Sequence, residues 1–87
     1  MARSSLVVAT SVAKDLRAIP KRDVARILRR IEQLLEDPRG PGCEKLSELE
    51  RYRVRQGDYR IIYEIRDAAL VVFVIKVGHR REVYRGS

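Results

Sequence analysis

Seven residues carry the side-chain types for phosphate chemistry and lie where paired strands would gather them: Arg53, Arg55, Arg60 and Arg80 with His79, Glu82 and Tyr84. Guanidinium groups hold phosphate through paired, charge-assisted hydrogen bonds. RNA brings its own nucleophile, the 2′-OH, so cleavage needs only alignment, stabilisation of the phosphorane-like charge, a proton acceptor and a proton donor. No metal or cofactor enters that scheme, and DNA, lacking the 2′-OH, is excluded as a substrate for it. The arginines supply the charge. Tyr84, His79 and Glu82 are the candidates for proton transfer. Histidine titrates near an unperturbed pKa of about 6.5, and neighbouring positive charge lowers the pKa of a tyrosine and of a histidine alike. Tyr84 can in addition stack on a splayed base. Arg51, Arg81, Arg85 and Lys76 extend the set as candidate RNA contacts.

The element that must position them is residues 51–66, which alternate in character around Gln56-Gly-Asp-Tyr59. A two-residue loop with Gly at its first central position is the signature of a type II′ hairpin. That turn makes opposed residue numbers sum to 115, so Arg51, Arg53 and Arg55 share one face with Arg60, Ile62, Glu64 and Arg66. Tyr52, Val54, Tyr59, Ile61, Tyr63 and Ile65 take the other face. The pairing sets Arg55 against Arg60, an arrangement that repels across a ladder and calls for an anion. Arg51 finds Glu64 opposite it.

The chain has 87 residues, one small domain over 1–87 with a single core. Its net charge of +7 is uneven: residues 1–50 carry ten Lys/Arg against eight Asp/Glu, and residues 51–87 nine against four. Arginine outnumbers lysine fifteen to four, which favours bidentate phosphate binding. Cys43 is the single cysteine, so no intrachain disulfide forms, consistent with a reducing cytoplasm. The apolar run at residues 5–9 is too short for a signal peptide, and no segment approaches the roughly 20 apolar residues of a membrane span.

Residues 5–9 predict an opening strand, after which Thr10 or Ser11 caps a short helix carrying Val12, Leu16 and Ile19 up to Pro20. Val24, Ile27, Leu28, Ile31, Leu34 and Leu35 predict a second helix from Lys21, ended by Pro38 and Gly40-Pro-Gly42. Its arginine face reads as solvated. The two apolar stripes pack on the tyrosine and isoleucine face of the sheet. Residues 40–49 read as a loop. Asp67-Ala-Ala69 turns the chain into residues 70–77, an apolar run without alternation that predicts a central strand buried on both faces. Since the helices cover one face only, the tail or a partner must cover part of the other.

No G-x-G-x-x-G, P-loop, H-E-x-x-H or paired-Cys motif is present, which removes nucleotide cofactors and structural zinc from consideration. In combination, Ala13-Lys-Asp-Leu16, Asp37-Pro38, Lys45-Leu46, Tyr52-Arg-Val-Arg55, Gly57-Asp-Tyr-Arg-Ile-Ile-Tyr63 and Val77-Gly-His-Arg-Arg-Glu-Val-Tyr84 resemble the RelE group of the RelE/ParE toxin superfamily. The resemblance implies an α+β fold, a compact β-α-α-β-β-β chain with two helices on one face of an antiparallel sheet, related to microbial ribonucleases. It implies a toxin of a type II toxin–antitoxin system, a cytoplasmic, metal-independent endoribonuclease that cleaves mRNA in the ribosomal A site. The implied partners are the ribosome, a RelB-like antitoxin whose helices wrap the toxin, and operator DNA for the toxin–antitoxin complex. Position by position, the family's cationic pair falls on Arg53 and Arg55, its strand arginine on Arg60, its post-Gly arginine on Arg80 and its tyrosine on Tyr84. Lysine in well-studied members, the pair is arginine here and cannot release a proton near neutral pH. That moves the general base to Tyr84, His79 or Glu82. The alternatives are a ParE-like binder of DNA gyrase without nuclease activity, and a plain RNA-binding module.

Overall fold

The computed structural model describes residues 3–46 and 50–79. Strand β1 (Ser5–Val8) leads into helices α1 (Thr10–Arg17) and α2 (Lys21–Glu36), followed by strands β2 (Cys43–Lys45), β3 (Arg51–Gln56), β4 (Tyr59–Arg66) and β5 (Val71–His79). The five strands form one sheet in the order β1-β5-β4-β3-β2. The expected α+β architecture, two helices on a sheet, is therefore present. Two details differ: β1 runs parallel to β5, so the sheet is mixed, and β2 occupies part of the stretch read as a loop. Its three residues Cys43, Glu44 and Lys45 are too few for alternation to show.

The hairpin has the expected register throughout, from Arg51 opposite Glu64 to Gln56 opposite Tyr59. Gly57 takes φ +61°, while Asp58 is not among the residues with positive φ, the sign pattern of a II′ rather than a I′ turn. On the helix side the core comprises Tyr52, Val54, Ile61, Tyr63 and Ile65 from the hairpin, and Val72, Val74 and Val77 from β5. Val12, Ile19, Ile27, Ile31, Leu34 and Leu35 come from the helical layer. Each fully buried side chain of this size contributes about 1.5–3 kcal/mol. Leu28, although apolar, falls outside the buried stripe and is 45% exposed. The start of α1 also departs from expectation. Ala9 is the N-cap and makes no side-chain bond, so Thr10 and Ser11 are helical residues rather than caps. The carbonyl of Pro20, which precedes α2, accepts from the amides of Asp23 and Val24 at 2.9 and 3.0 Å.

A register shift against β4 explains the apolar run of β5. Ile62 faces Lys76 while Tyr63 faces Val74, which leaves Ile75 as an extra residue. The bulge changes the phase of the strand, so that Val72, Val74 and Val77 all reach the core despite their uneven spacing. Burial on both faces is not observed: Val71, Phe73 and Ile75 on the remaining positions are half-buried. Phe73 is covered from the chain itself, by the Arg66 guanidinium 5.0 Å above its ring.

A polar hub at the opposite end of the sheet from the hairpin turn ties three segments together. Arg39 donates twice to Asp67, at 3.0 and 2.8 Å, and once each to Glu50 at 2.8 Å and the Tyr52 hydroxyl at 3.1 Å. Tyr52 in turn donates to Glu50 at 2.9 Å. Arg39, followed by the Tyr52 hydroxyl, holds the Glu50 carboxyl down from 4.5 to about 2, and Arg39 also lowers Asp67. A carboxylate held below its unfolded pKa stabilises the fold above that value, and the contribution is lost as pH falls through the folded pKa. We expect Arg39→Met to flatten the dependence of Tm on pH between 4.5 and about 2 relative to the unmodified protein. Thermal melts with parallel pH dependence would show that the hub contributes nothing.

Candidate nucleic-acid interface

Strand parity places Arg51, Arg53, Arg55, Arg60, Glu64 and Arg66 together on the face away from the helices. Adding β2 and β5 gives two cross-strand rows near the turn: Glu44, Arg53, Ile62, Lys76; and Arg55, Arg60, Gly78. Ile62 is only 9% exposed although it points away from the core. Arg53 and Lys76 flank it in the ladder, and their aliphatic stems can cover it while their charged heads reach Glu44 and Asp15.

The face is not uniformly basic. Away from the turn, Glu64 accepts from Arg51 at 3.5 Å and from Arg66 at 3.3 Å, so one acid serves two arginines. Nearer the turn, Arg53 pairs with Glu44 at 2.8 Å. Hydrogen bonding and charge from Arg53, with a further contribution from Arg60, hold the Glu44 carboxyl below its usual range. Arg53, Arg60 and Glu44 therefore share one electrostatic neighbourhood. Arg55 lies directly opposite Arg60, and the contact it makes among the described residues is to its own turn, donating to the Gly57 carbonyl at 3.0 Å. Positive charge thus concentrates at the turn end of the sheet. Gly78, next to Arg60 in the row, adds no side chain there and is itself buried.

His79 is not brought to this face. It pairs with Tyr59, their rings meeting edge to face at 5.9 Å, on the helix side of the sheet. There it lines a cavity of about 470 Å³ with Lys14, Asp15, Ala18, Ile19, Tyr59, Val77 and Gly78. Lys76 is on the arginine face by register, but its ammonium reaches Asp15 of α1 at 3.1 Å. Arg80, Arg81, Glu82, Tyr84 and Arg85 lie outside the described residues. Tyr63 is excluded as a proton shuttle, because burial, reinforced by Cys43, pushes its phenol up while it donates to the Pro38 carbonyl at 2.6 Å.

Two residues that shape the site escaped sequence reasoning. Glu44 sits on a three-residue edge strand with no periodic signal, and Asp15 lies on a helix whose apolar positions reveal nothing of a bond to a distant strand.

The chain matches the family model described as ParE toxin of type II toxin–antitoxin system, parDE, over residues 6–84. It is 31% identical over 78 residues to Toxin RelG of Mycobacterium tuberculosis, covering 87% of this chain and 90% of that protein. The toxin–antitoxin complex RelBE2 from M. tuberculosis contains a similar chain, with a TM-score of 0.81, 25% identity, and coverage of 92% of this chain and 94% of that one. The free-state structure of a mutant E. coli toxin RelE has a TM-score of 0.79 and 29% identity, covering 98% and 93% of the two chains.

If the sequence-based assignment of Arg53 to an RNA phosphate holds, the Glu44 carboxylate paired with it at 2.8 Å competes for that guanidinium, and Glu44→Gln should strengthen binding of a short single-stranded RNA. One more phosphate contact steepens the slope of log K against log salt by about 0.7. Fluorescence anisotropy across a salt series reads both quantities, and an unchanged slope would show that Arg53 makes no phosphate contact.

Proposed function

This chain belongs to the RelE family of the RelE/ParE superfamily of type II toxin–antitoxin toxins, and on that premise we propose that it is a ribosome-dependent endoribonuclease that cleaves mRNA in the A site. The observation that carries the reading is the cluster of Arg53, Arg55 and Arg60 on one rigid face at the turn end of the sheet, with Arg55 against Arg60. Two arginines at directly paired positions of a hydrogen-bonded ladder bring positive charge together, which an anionic phosphate would relieve.

In the reaction, the 2′ oxygen of the nucleotide before the cut attacks the adjacent phosphorus as its proton passes to a base. The bond from phosphorus to the 5′ oxygen breaks, and that oxygen takes up a proton. Arg53, Arg55 and Arg60, joined by Arg80, hold the phosphate and neutralise the charge that develops on its oxygens. Arginine stays protonated, so none of them is the base. With His79 facing the helix side, Tyr84 is the favoured group for proton transfer, followed by Glu82. Arg51, Lys76, Arg81 and Arg85 are assigned to the flanking RNA backbone. Activity is confined to the cytoplasm, where translating ribosomes are.

The similar RelBE2 chain is found in a toxin–antitoxin complex. By that analogy a RelB-like antitoxin neutralises this toxin, and the complex binds its operator DNA. A net-acidic partner suits a chain of net charge +7. The second reading, a gyrase-binding toxin without nuclease activity, draws on the description of the matching family model.

Inducing the protein alone, mapping mRNA 5′ ends and measuring plasmid supercoiling in the same cells separates the two. New 5′ ends within codons support the nuclease; altered supercoiling with intact mRNA supports the gyrase reading. In single-turnover assays on programmed ribosomes, Arg60→Ala should cost about 3 kcal/mol of transition-state stabilisation, near 10²-fold in rate. Tyr84→Phe, which keeps the ring and removes the hydroxyl, should lower the rate about 10²-fold, and His79→Ala should be nearly silent. A crippled His79→Ala beside an active Tyr84→Phe would reassign the proton transfer.

A further inference from the structure

The parallel pairing of β1 with β5 ends at Val8 opposite Val74, followed by one bond from the Ala9 amide to the Val74 carbonyl at 2.9 Å. There the chain turns away into α1. On the side of β5 away from β4, the residues after Val74 have no neighbouring strand among the described residues, and the bulge at Ile75 loosens the ladder at the same point. Yet this stretch is not left open. Asp15 of α1 accepts from the Val77 amide through Oδ2 at 3.4 Å and from the Lys76 ammonium through Oδ1 at 3.1 Å. Val77 is fully buried and the Asp15 side chain only 17% exposed, so water is a poor substitute for that carboxylate.

The strand end so held carries Gly78, which faces Arg60, and His79, and it leads directly to Arg80 and the rest of the C-terminal segment. We propose that Asp15 is a positioning residue for the RNA site. Its carboxylate takes the place of the missing neighbouring strand, clasps the Val77 amide and fixes the end of β5 relative to Arg60. It touches no substrate. The inference rests on the nuclease reading for its catalytic consequence, although the clasp itself does not.

Two variants separate the clasp from a general loss of stability. Asp15→Ala removes both contacts, whereas Asp15→Asn keeps an oxygen for the Val77 amide and gives up the charge and the hydrogen bond toward Lys76, where its NH2 group can only donate. In the full-length protein, Asp15→Ala should speed amide exchange at Val77 about tenfold, as local opening does, and leave exchange at Val74 unchanged. On programmed ribosomes it should lower the saturating single-turnover rate about tenfold, a size typical of small misplacement, without changing the half-saturating ribosome concentration. Asp15→Asn should stay close to the unmodified protein in both assays. Unchanged Val77 exchange in Asp15→Ala, equal acceleration at Val74, an unaltered cleavage rate, or an Asp15→Asn variant as impaired as Asp15→Ala would each overturn the proposal. If the unmodified protein cleaves nothing on ribosomes, the nuclease reading fails, and the exchange measurements alone decide whether Asp15 acts as the clasp.

Discussion

Everything at the candidate interface depends on the parity of one hairpin. Side chains on a strand alternate between faces, so a slip of one residue would send the arginines into the core and the tyrosines into water. The two-residue turn at Gly57 forbids that slip, because a glycine held at φ +61° sets which residue faces which for the whole length of β3 and β4. Arg55 and Arg60 confront each other because the turn is short and the core will not accept the alternative. Their like charges are held at paired positions by a ladder whose other face buries Val54, Ile61 and Tyr63. Burial on one side of the sheet thus fixes which charges are neighbours on the other.

The hairpin and both helices were legible from local pattern, since alternation and helical spacing are properties of neighbouring residues. The arginine face followed from the same count. What the sequence did not disclose depends on contacts between distant positions. Glu44 reaches Arg53 through a strand of three residues, Asp15 meets β5 across more than sixty positions, and Arg39 gathers Glu50, Tyr52 and Asp67 from two other segments. Residues 70–77 misled for a related reason: a bulge merges two alternating phases into a run that looks apolar throughout, whereas β5 buries only one side fully. Leu28 shows the limit of the helical pattern, which marks the apolar face of a helix but not how wide the neighbouring sheet is.

The separation of His79 from the arginines sharpens the chemical picture. A histidine five residues from a candidate tyrosine suggests a shared site, but the sheet sends position 79 toward α1 and Tyr59. Sequence proximity along a strand is therefore a poor guide to chemical proximity when consecutive side chains face opposite ways. The acids show a similar partition. Glu64 screens the far end of the arginine face, Glu44 stands beside the turn end, and Asp15 works from behind the sheet. Together they place an acid against the basic residues at each end of the face and behind it.

The parallel pairing of β1 with β5 bears on how such a protein is born. Residues 5–8 emerge from the ribosome early, but the strand they pair with, residues 71–74, is translated more than sixty residues later. The hairpin can form as a local unit, while the β1 edge must wait for a long-range closure of the kind that slows folding. Until then β5 lacks its outer neighbour, and the helices that cover the core have no anchored start. A nascent chain of this topology passes through synthesis without the finished sheet, so the support that sheet gives the arginine face comes only after β5 has been translated.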